Sequence, residues 1–463
     1  MNDVYIASLP VVLAAVSGIL ILVLDILVKK SEKLIFTLSL IFSLLPFLPF
    51  LIFYGFRSKA FGGQLITDKL SYTFVALISI ITFFIILISY SYNKRRLIKY
   101  NEYYVLLFFA QAGLIALVSS YNLLVIFIAF EIFSFSSYIL TGIVKDRLSS
   151  EAVFKYLFTG IIASSIGLLG IALLYGASGT LFIDKMVKTG TNSVVIISGF
   201  ILFLINIFFK FSLTPFHIWT PDVYEGAATP ISAYFSVAPK IAIIILILRF
   251  ISLDVFTVFN VKIILWLIAA ITILWGNFVA LRQKNLKRLM AYSAISHSGY
   301  IAMGFLLPYE SAYKYLLFYG ISYLFLNIIA FTFLSYLTES SSDDVGMESV
   351  AGLSKKKPFE SFVFSLALIS LAGFPPTIGF FAKFYLFIAL IESGYIYITL
   401  IAILGTVVSV FYYFRIIMYL YFKDEDKDFK FDIFGKIVLF LNMVIVLALS
   451  FYPELIFSFL RGW

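Results

Sequence analysis

The sequence predicts an all-α membrane protein with about fourteen transmembrane helices, and three observations predict it. Hydrophobic residues make up 62% of the 463 positions, and the mean hydropathy is +1.04. Soluble domains are about half apolar, so the excess calls for lipid. Apolar stretches of roughly 20 residues, the length that crosses about 30 Å of hydrocarbon, recur from end to end. Charged residues are only 13% of the chain, yet the net charge is +9, as expected where Lys and Arg gather on the loops of one side.

Read by that length rule, the spans fall near 5–28, 34–54, 70–92, 103–120, 122–144, 152–175, 194–215, 230–250, 263–281, 289–307, 312–337, 358–391, 395–421 and 437–460. The first stretch starts near Val4 without a basic region ahead of it, so it reads as a retained helix rather than a signal peptide. The stretches 338–357 and 422–436 read as loops. The whole of 1–463 is one polytopic membrane domain: peripheral spans in 1–100, a first repeat in 101–252, a second in 261–422 and a last span at 437–460.

Absence of cysteine excludes disulfides, thiolate metal sites and iron–sulfur clusters on this chain. Two histidines, His217 and His297, are too few to ligate several haems. Any redox chemistry therefore sits on another polypeptide, and no cofactor or metal is expected here. No loop carries a phosphate-binding motif or metal-ligand cluster. No basic, aromatic-interleaved face suggests nucleic acid.

Loop charge sets the orientation. Loops after odd-numbered spans hold 20 basic residues, among them Lys29, Lys30, Lys99, Lys287, Arg288 and Lys427. The other side holds seven: Arg57, Lys59, Lys69, Lys185, Lys188, Lys262 and Arg461. The odd loops thus face the cytoplasm or matrix, and both termini lie on the opposite, outer side. The remaining seven are Lys155, Lys210, Lys240, Arg249, Lys314, Lys383 and Arg415, inside spans or at their ends. Of these, Lys155, Arg249 and Lys314 read as edge residues.

A faint internal repeat is present. Glu151-Ala-Val-Phe-Lys155-Tyr156-Leu157 opens span six, and Glu310-Ser-Ala-Tyr-Lys314-Tyr315-Leu316 opens span eleven. Prolines then interrupt spans seven and twelve, at Pro215 and at Pro375 and Pro376. The unit is about five helices, spans 4–8 and 9–13, and an odd number of crossings inverts the second copy. Inverted repeats with broken helices place ion sites where the helices break.

Glu131 lies about nine residues into span five. An ionised carboxylate at that depth is costly unless paired or hydrated. It is either a structural ion pair or a partner that exchanges protons with a lysine. Lys210 stands five residues before Pro215. Proline frees a backbone carbonyl four residues earlier, here Phe211, and unpaired backbone is tolerated only in a protein-lined or watery cavity. Snorkelling to an interface is the alternative for Lys210, but the residue is far from the start of its span. Lys240 follows Pro239, and Lys383 follows the Pro375-Pro376 break by seven residues, so the same reasoning predicts breaks beside both. Burial disfavours a charged ammonium and a nearby carboxylate favours it, so a row of such lysines can act as a switchable proton relay. His297, between Ser296 and Ser298, suits either a hydrated link from Lys240 to Lys383 or plain hydrogen-bonded packing. His217 is a relay member or a structural residue at the cavity mouth. Arginine does not deprotonate, so Arg415 reads as an electrostatic gate or a fixed partner for a carboxylate.

The segment Phe209-Lys210-Phe-Ser-Leu-Thr-Pro215-Phe-His217-Ile-Trp219-Thr-Pro221-Asp222-Val-Tyr224-Glu225-Gly226 resembles the signature of the proton-conducting membrane subunits of respiratory complex I, the NADH-quinone oxidoreductase. Its Trp-Thr-Pro-Asp-Val-Tyr wording resembles subunit N, whereas subunits L and M more often read Trp-Leu-Pro-Asp-Ala. Further likeness lies in Glu151 to Leu157, Leu174-Tyr-Gly-Ala-Ser-Gly-Thr180, Asn285-Leu-Lys-Arg-Leu-Met-Ala-Tyr-Ser293, Gly299-Tyr300 and Gly373-Phe-Pro-Pro-Thr-Ile-Gly379-Phe-Phe-Ala-Lys383. The chain ends without room for the long lateral helix of subunit L.

The resemblance implies that Glu131, Lys210, Lys240 and Lys383 match the family's glutamate of helix five and lysines of helices seven, eight and twelve. It implies partners in the lipid bilayer: antiporter-like subunits M and L and the small membrane subunits K and J. NADH, flavin, iron–sulfur clusters and quinone would belong to partner subunits, and the membrane would be an energy-coupling one, bacterial and inner. Two rivals remain at this stage. One is a subunit of a multi-subunit sodium/proton antiporter or membrane-bound hydrogenase, and the other is a non-conducting structural subunit.

Overall fold

The computed structural model describes residues 2–28, 32–98, 101–188, 194–259, 261–338, 345–423 and 429–460. Lys29, Lys30, Lys99, Lys427 and Arg461, counted in the loop charge, lie outside the described residues. Among the described residues, eleven helices are long and apolar enough to cross a bilayer: Asp3–Leu27, Glu32–Phe53, Lys69–Arg95, Glu102–Ser119, Leu123–Thr141, Arg147–Ser178, Thr229–Ser252, Lys262–Ala280, Tyr309–Leu337, Ile396–Phe422 and Ile433–Phe451. Val194–Lys210 and Pro358–Ala372 are shorter apolar helices. Leu286–Met303 is less apolar, yet almost all of its residues are buried, His297 and three serines among them. A polar helix inside an apolar protein is the arrangement in which lipid never meets the polar groups.

Helix ends follow local chemistry. Asn122 caps Leu123–Thr141, its side-chain oxygen accepting from the Leu124 amide at 3.0 Å. Asp146 and Ser149 form a reciprocal capping box on Arg147–Ser178, which satisfies amides the first turn leaves unpaired. Asn285 caps Leu286–Met303 through the Arg288 amide, also at 3.0 Å. Gly373, at φ 87°, ends Pro358–Ala372 in the left-handed conformation open to glycine.

Some expectations stand with a detail added and others need correcting. The span expected at 34–54 is present as Glu32–Phe53; within it a 3-10 turn at Leu45–Phe47 is followed by Leu48–Phe53, with Pro46 and Pro49 at the two starts. Proline has no amide to give, and a helix start is where none is required. The break expected beside Lys240 is absent, because Thr229–Ser252 runs through Pro239. That helix is buried along its length, and packing holds it together around the one hydrogen bond that proline removes. The stretch 338–357 is not wholly loop: it contains a helix at Leu353–Lys356. The Leu286 amide donates to Val345 O at 2.8 Å and the Met347 amide to Lys284 O at 3.0 Å, which pins its start.

The chain forms two compact units. The first comprises Met1–Ile86, Ile98–Phe211 and Ala238–Lys262. It carries a hairpin that apolar patterning did not predict: Ser58–Ala60 pairs antiparallel with Leu65–Thr67. Gly62 and Gly63, both at positive φ, make its turn. The second comprises Leu87–Leu97, Ser212–Val237 and Ile263–Trp463. In it, two of the motifs quoted above meet. Arg288 donates to Asp222 at 2.5 Å and to Glu225 at 2.8 Å, and Lys287 Nζ donates to Ala227 O at 2.6 Å. These two basic residues, read as loop charge, hold the Trp219–Gly226 helix in place.

Candidate functional site

In the first unit, Glu131 is half-buried on Leu123–Thr141 and accepts a hydrogen bond from Ser164 Oγ at 2.6 Å. Lys210 is the last residue of Val194–Lys210 and is 2% exposed. Its Nζ has no hydrogen-bond acceptor among the described residues. Four rings enclose it instead, Tyr156 and Phe209 at 5.2 Å, Tyr138 at 5.4 Å and Phe133 at 5.9 Å from their centroids. Ring faces attract a cation, more strongly where water is excluded. Phe133 and Tyr138 belong to the helix that carries Glu131, and among the described residues Glu131 makes no hydrogen bond to this ammonium. Lys240 is buried on Thr229–Ser252 in the same unit.

Beyond Lys210 the helix stops, and Trp219–Gly226 follows. Both the Thr214–Pro215 and the Pro375–Pro376 peptide bonds are cis. The Thr214 amide donates to Thr272 Oγ1 at 2.9 Å, and Thr220 Oγ1 donates to Ser212 Oγ at 2.8 Å. His217 is buried with its Nδ1 unpaired among the described residues, edge-on to Trp275 at 5.9 Å.

The second unit gathers His297 and Lys383. Lys383, buried on Ile378–Glu392, donates from Nζ to Leu371 O and Ala372 O, both at 3.1 Å. Those are the carbonyls that the interrupted Pro358–Ala372 helix leaves unpaired at its end, so the break builds the lysine's seat. His297 Nδ1 lies 2.7 Å from Tyr319 Oη, and Nε2 lies 3.4 Å from Tyr413 Oη, which also bonds Ser293. The serines flanking His297 donate to their own helix, Ser296 to Ser293 O and Ser298 to Ala294 O. The direct side-chain partners of the His297 ring are these tyrosines. Tyr300 joins the two sites, its ring centroid 5.8 Å from that of His297 and 4.9 Å from Lys383 Nζ. A cavity of about 10 Å³ lined by His297, Tyr319, Ser370 and Leu371 lies beside them, at the lower limit for one water.

Arg415 donates to Leu281 O at 2.7 Å and Gln283 O at 2.6 Å. The fixed partner is thus backbone rather than a carboxylate, and the arginine caps the chain leaving Lys262–Ala280. Lys155 pairs with Glu151 at the surface at 2.7 Å, as an edge residue should. Arg249 stands at its span end, in the last turn of Thr229–Ser252, yet it is buried: at 2% exposure it bonds Asp68 at 3.2 Å, Ser71 at 2.6 Å, Val118 O at 3.0 Å and the Tyr121 hydroxyl. Burial alone would raise the Asp68 carboxyl, but Arg249 and Ser71 outweigh it and hold it below the ordinary aspartate value.

Residues 120–409 match the family described as NADH:quinone oxidoreductase/Mrp antiporter, TM. NADH-quinone oxidoreductase subunit N of Trichlorobacter lovleyi is 34% identical over 461 residues, covering 97% of this chain and 93% of the relative. The subunit N of Cytophaga hutchinsonii is 38% identical over 457 residues, covering 95% and 98%. A chain of respiratory complex I from Thermus thermophilus superposes with a TM-score of 0.84 at 28% identity, covering 96% of this chain and 98% of that one. One from the membrane-bound sulfane sulfur reductase, an archaeal respiratory membrane complex, gives 0.88 at 26% over 96% and 94%. With its motifs, its interrupted helices and these relatives aligned along nearly its full length, the chain belongs to the NADH:quinone oxidoreductase/Mrp antiporter membrane family, among the subunit N proteins.

Proposed function

We propose that this chain is a proton-translocating membrane subunit of an NADH-quinone oxidoreductase, coupling quinone reduction elsewhere in the complex to proton movement through Glu131, Lys210, Lys240, His297 and Lys383. The observation that carries the reading is Lys210: a buried ammonium without an acceptor among the described residues, at the end of an interrupted helix, under the Phe133 and Tyr138 rings of the helix that carries Glu131. Such a charge is held so weakly that moving one carboxylate shifts its protonation. When Glu131 approaches, the ammonium is favoured; when it withdraws, the proton leaves along the relay through Lys240 and His297. Lys383, seated on two carbonyls, is the terminal station for entry or exit. His217, Pro215, Pro375, Pro376 and Arg415 shape the path without carrying the proton.

In this reading about fourteen segments cross the membrane in two inverted five-helix repeats, spans 4–8 and 9–13. Both termini face the outer side of a bacterial inner membrane. Subunits M, L, K and J are the neighbours, and NADH, flavin, iron–sulfur clusters and quinone belong to partner subunits. The likeness to the sulfane sulfur reductase chain supports a second reading, in which the same module serves a respiratory complex with a different electron acceptor.

Lys210→Ala or Glu131→Ala should leave the complex assembled on a native gel, while quinone-dependent proton uptake into membrane vesicles falls by about tenfold or more, a barrier increase of at least 1.4 kcal/mol. Wild-type pumping in an assembled variant overturns the relay, and loss of assembly in both variants favours a purely structural subunit.

A further inference from the structure

A cavity of about 680 Å³ opens in the first unit, within the 300–1,000 Å³ range usual for ligand pockets. Arg57 and Lys59 from the hairpin segment and Lys185 and Lys188 from the Ile183–Lys188 helix line it, with Asp184 as the one carboxylate among its lining residues. None of the four cations makes an ion pair among the described residues; Lys185 rests over the Phe182 ring at 4.7 Å. Asp68 is already engaged by Arg249. Four like charges facing one volume repel each other, and an anion in the cavity relieves that repulsion.

The charge bias of the loops does not account for this cluster. The loops on this side hold only seven basic residues, and four of them line this cavity. The wall also has an apolar side that includes Val4, Phe61 and Ile66. Val4 lies in the first turn of the Asp3–Leu27 helix, on which Tyr5, Val12, Val16 and Ile19 are all exposed. A cavity that is basic on one side and continues onto an exposed apolar helix fits an amphiphile better than a free ion.

We infer that this cavity holds the phosphate headgroup of an anionic phospholipid, with an acyl chain lying along the first helix. The lipid would tie the hairpin to the Ile183–Lys188 helix, segments more than 100 residues apart in sequence. The test is native mass spectrometry of the purified, delipidated complex titrated with phosphatidylglycerol, phosphatidylcholine or inorganic phosphate. Wild-type chain should retain phosphatidylglycerol over phosphatidylcholine. Combined Arg57→Gln, Lys59→Gln, Lys185→Gln and Lys188→Gln should lower that retention by at least about tenfold. Lys59→Arg, Lys185→Arg and Lys188→Arg together should keep it, which separates lost charge from lost folding. Equal retention by wild type and the glutamine variant overturns the inference. Binding of inorganic phosphate without phosphatidylglycerol also overturns it, making the site one for a free anion.

Discussion

Lys210 and Lys383 meet the cost of burial with different neighbours. Lys383 has two carbonyl acceptors, whereas Lys210 has four ring faces and no acceptor among the described residues. Replacing Lys383 by Met therefore leaves a buried carbonyl unpaired, and that should cost about 1–3 kcal/mol. Lys210→Met removes a charge that nothing accepts from, so it should melt at or above the wild-type temperature. Both variants should lose proton pumping. Thermal melting of the purified complex beside vesicle pumping separates the two, and equal destabilisation by both substitutions would remove the distinction drawn between their seats. The lysines were legible in sequence because an ammonium inside an apolar stretch is costly wherever it occurs. Their partners were not. Tyr319 lies 22 residues from His297 and Tyr413 lies 116 away. Tyrosine is common in this chain, 30 in all, so no local spacing marks these two. Ser296 and Ser298 donate within their own helix, as a serine in a helix readily does to its own preceding turn.

Among the elements, prolines at Pro215 and Pro375-Pro376 coincide with interrupted helices while Pro239 does not. Proline removes one hydrogen bond in every case, and whether the helix then stops depends on what else packs or caps the chain. Gly373 supplies a left-handed exit and Thr377 a new cap in one case. Around Pro239 there is neither, and the helix continues. The Arg249–Asp68 tie, spanning 181 residues, was equally hidden, since each residue alone looks like a span end. It stands in the last turn of Thr229–Ser252, where a helix favours a cation. Asp68→Asn should destabilise the protein by about 2–3 kcal/mol at pH 7, between the values for exposed and buried pairs. Because the folded carboxyl is held below its ordinary value, that stability is present above the unfolded pKa of about 3.9 and is lost as pH falls through the folded one. Melting curves of wild type and variant should therefore converge below about pH 4. A gap independent of pH would mean the pair contributes through shape alone.

At the scale of the whole molecule, apolar length made the helical membrane class legible, and the quoted motifs made the family legible. What they did not reveal is why two motifs some 60 residues apart belong together. Arg288 joins Asp222 and Glu225, each partly buried. Arg288→Gln should lower the melting free energy by about 1–3 kcal/mol and reduce assembled complex on a native gel, while a melting curve unchanged from wild type would show the tie to be incidental. The helix Thr229–Ser252 carries Thr229–Val237 in one unit and Ala238–Ser252 in the other, and Leu87–Leu97 belongs to the second unit although it precedes most of the first. The order of synthesis therefore completes the first unit while the second exists only in part. When the ribosome reaches Lys262 the first unit has all its residues, but the second has only Leu87–Leu97 and Ser212–Val237 of its own. These early pieces wait in the membrane for more than 200 residues still to come, and a gene divided at this point would encode one fragment with every residue of the first unit and a second fragment that must find the pieces Leu87–Leu97 and Ser212–Val237 before the second unit is complete.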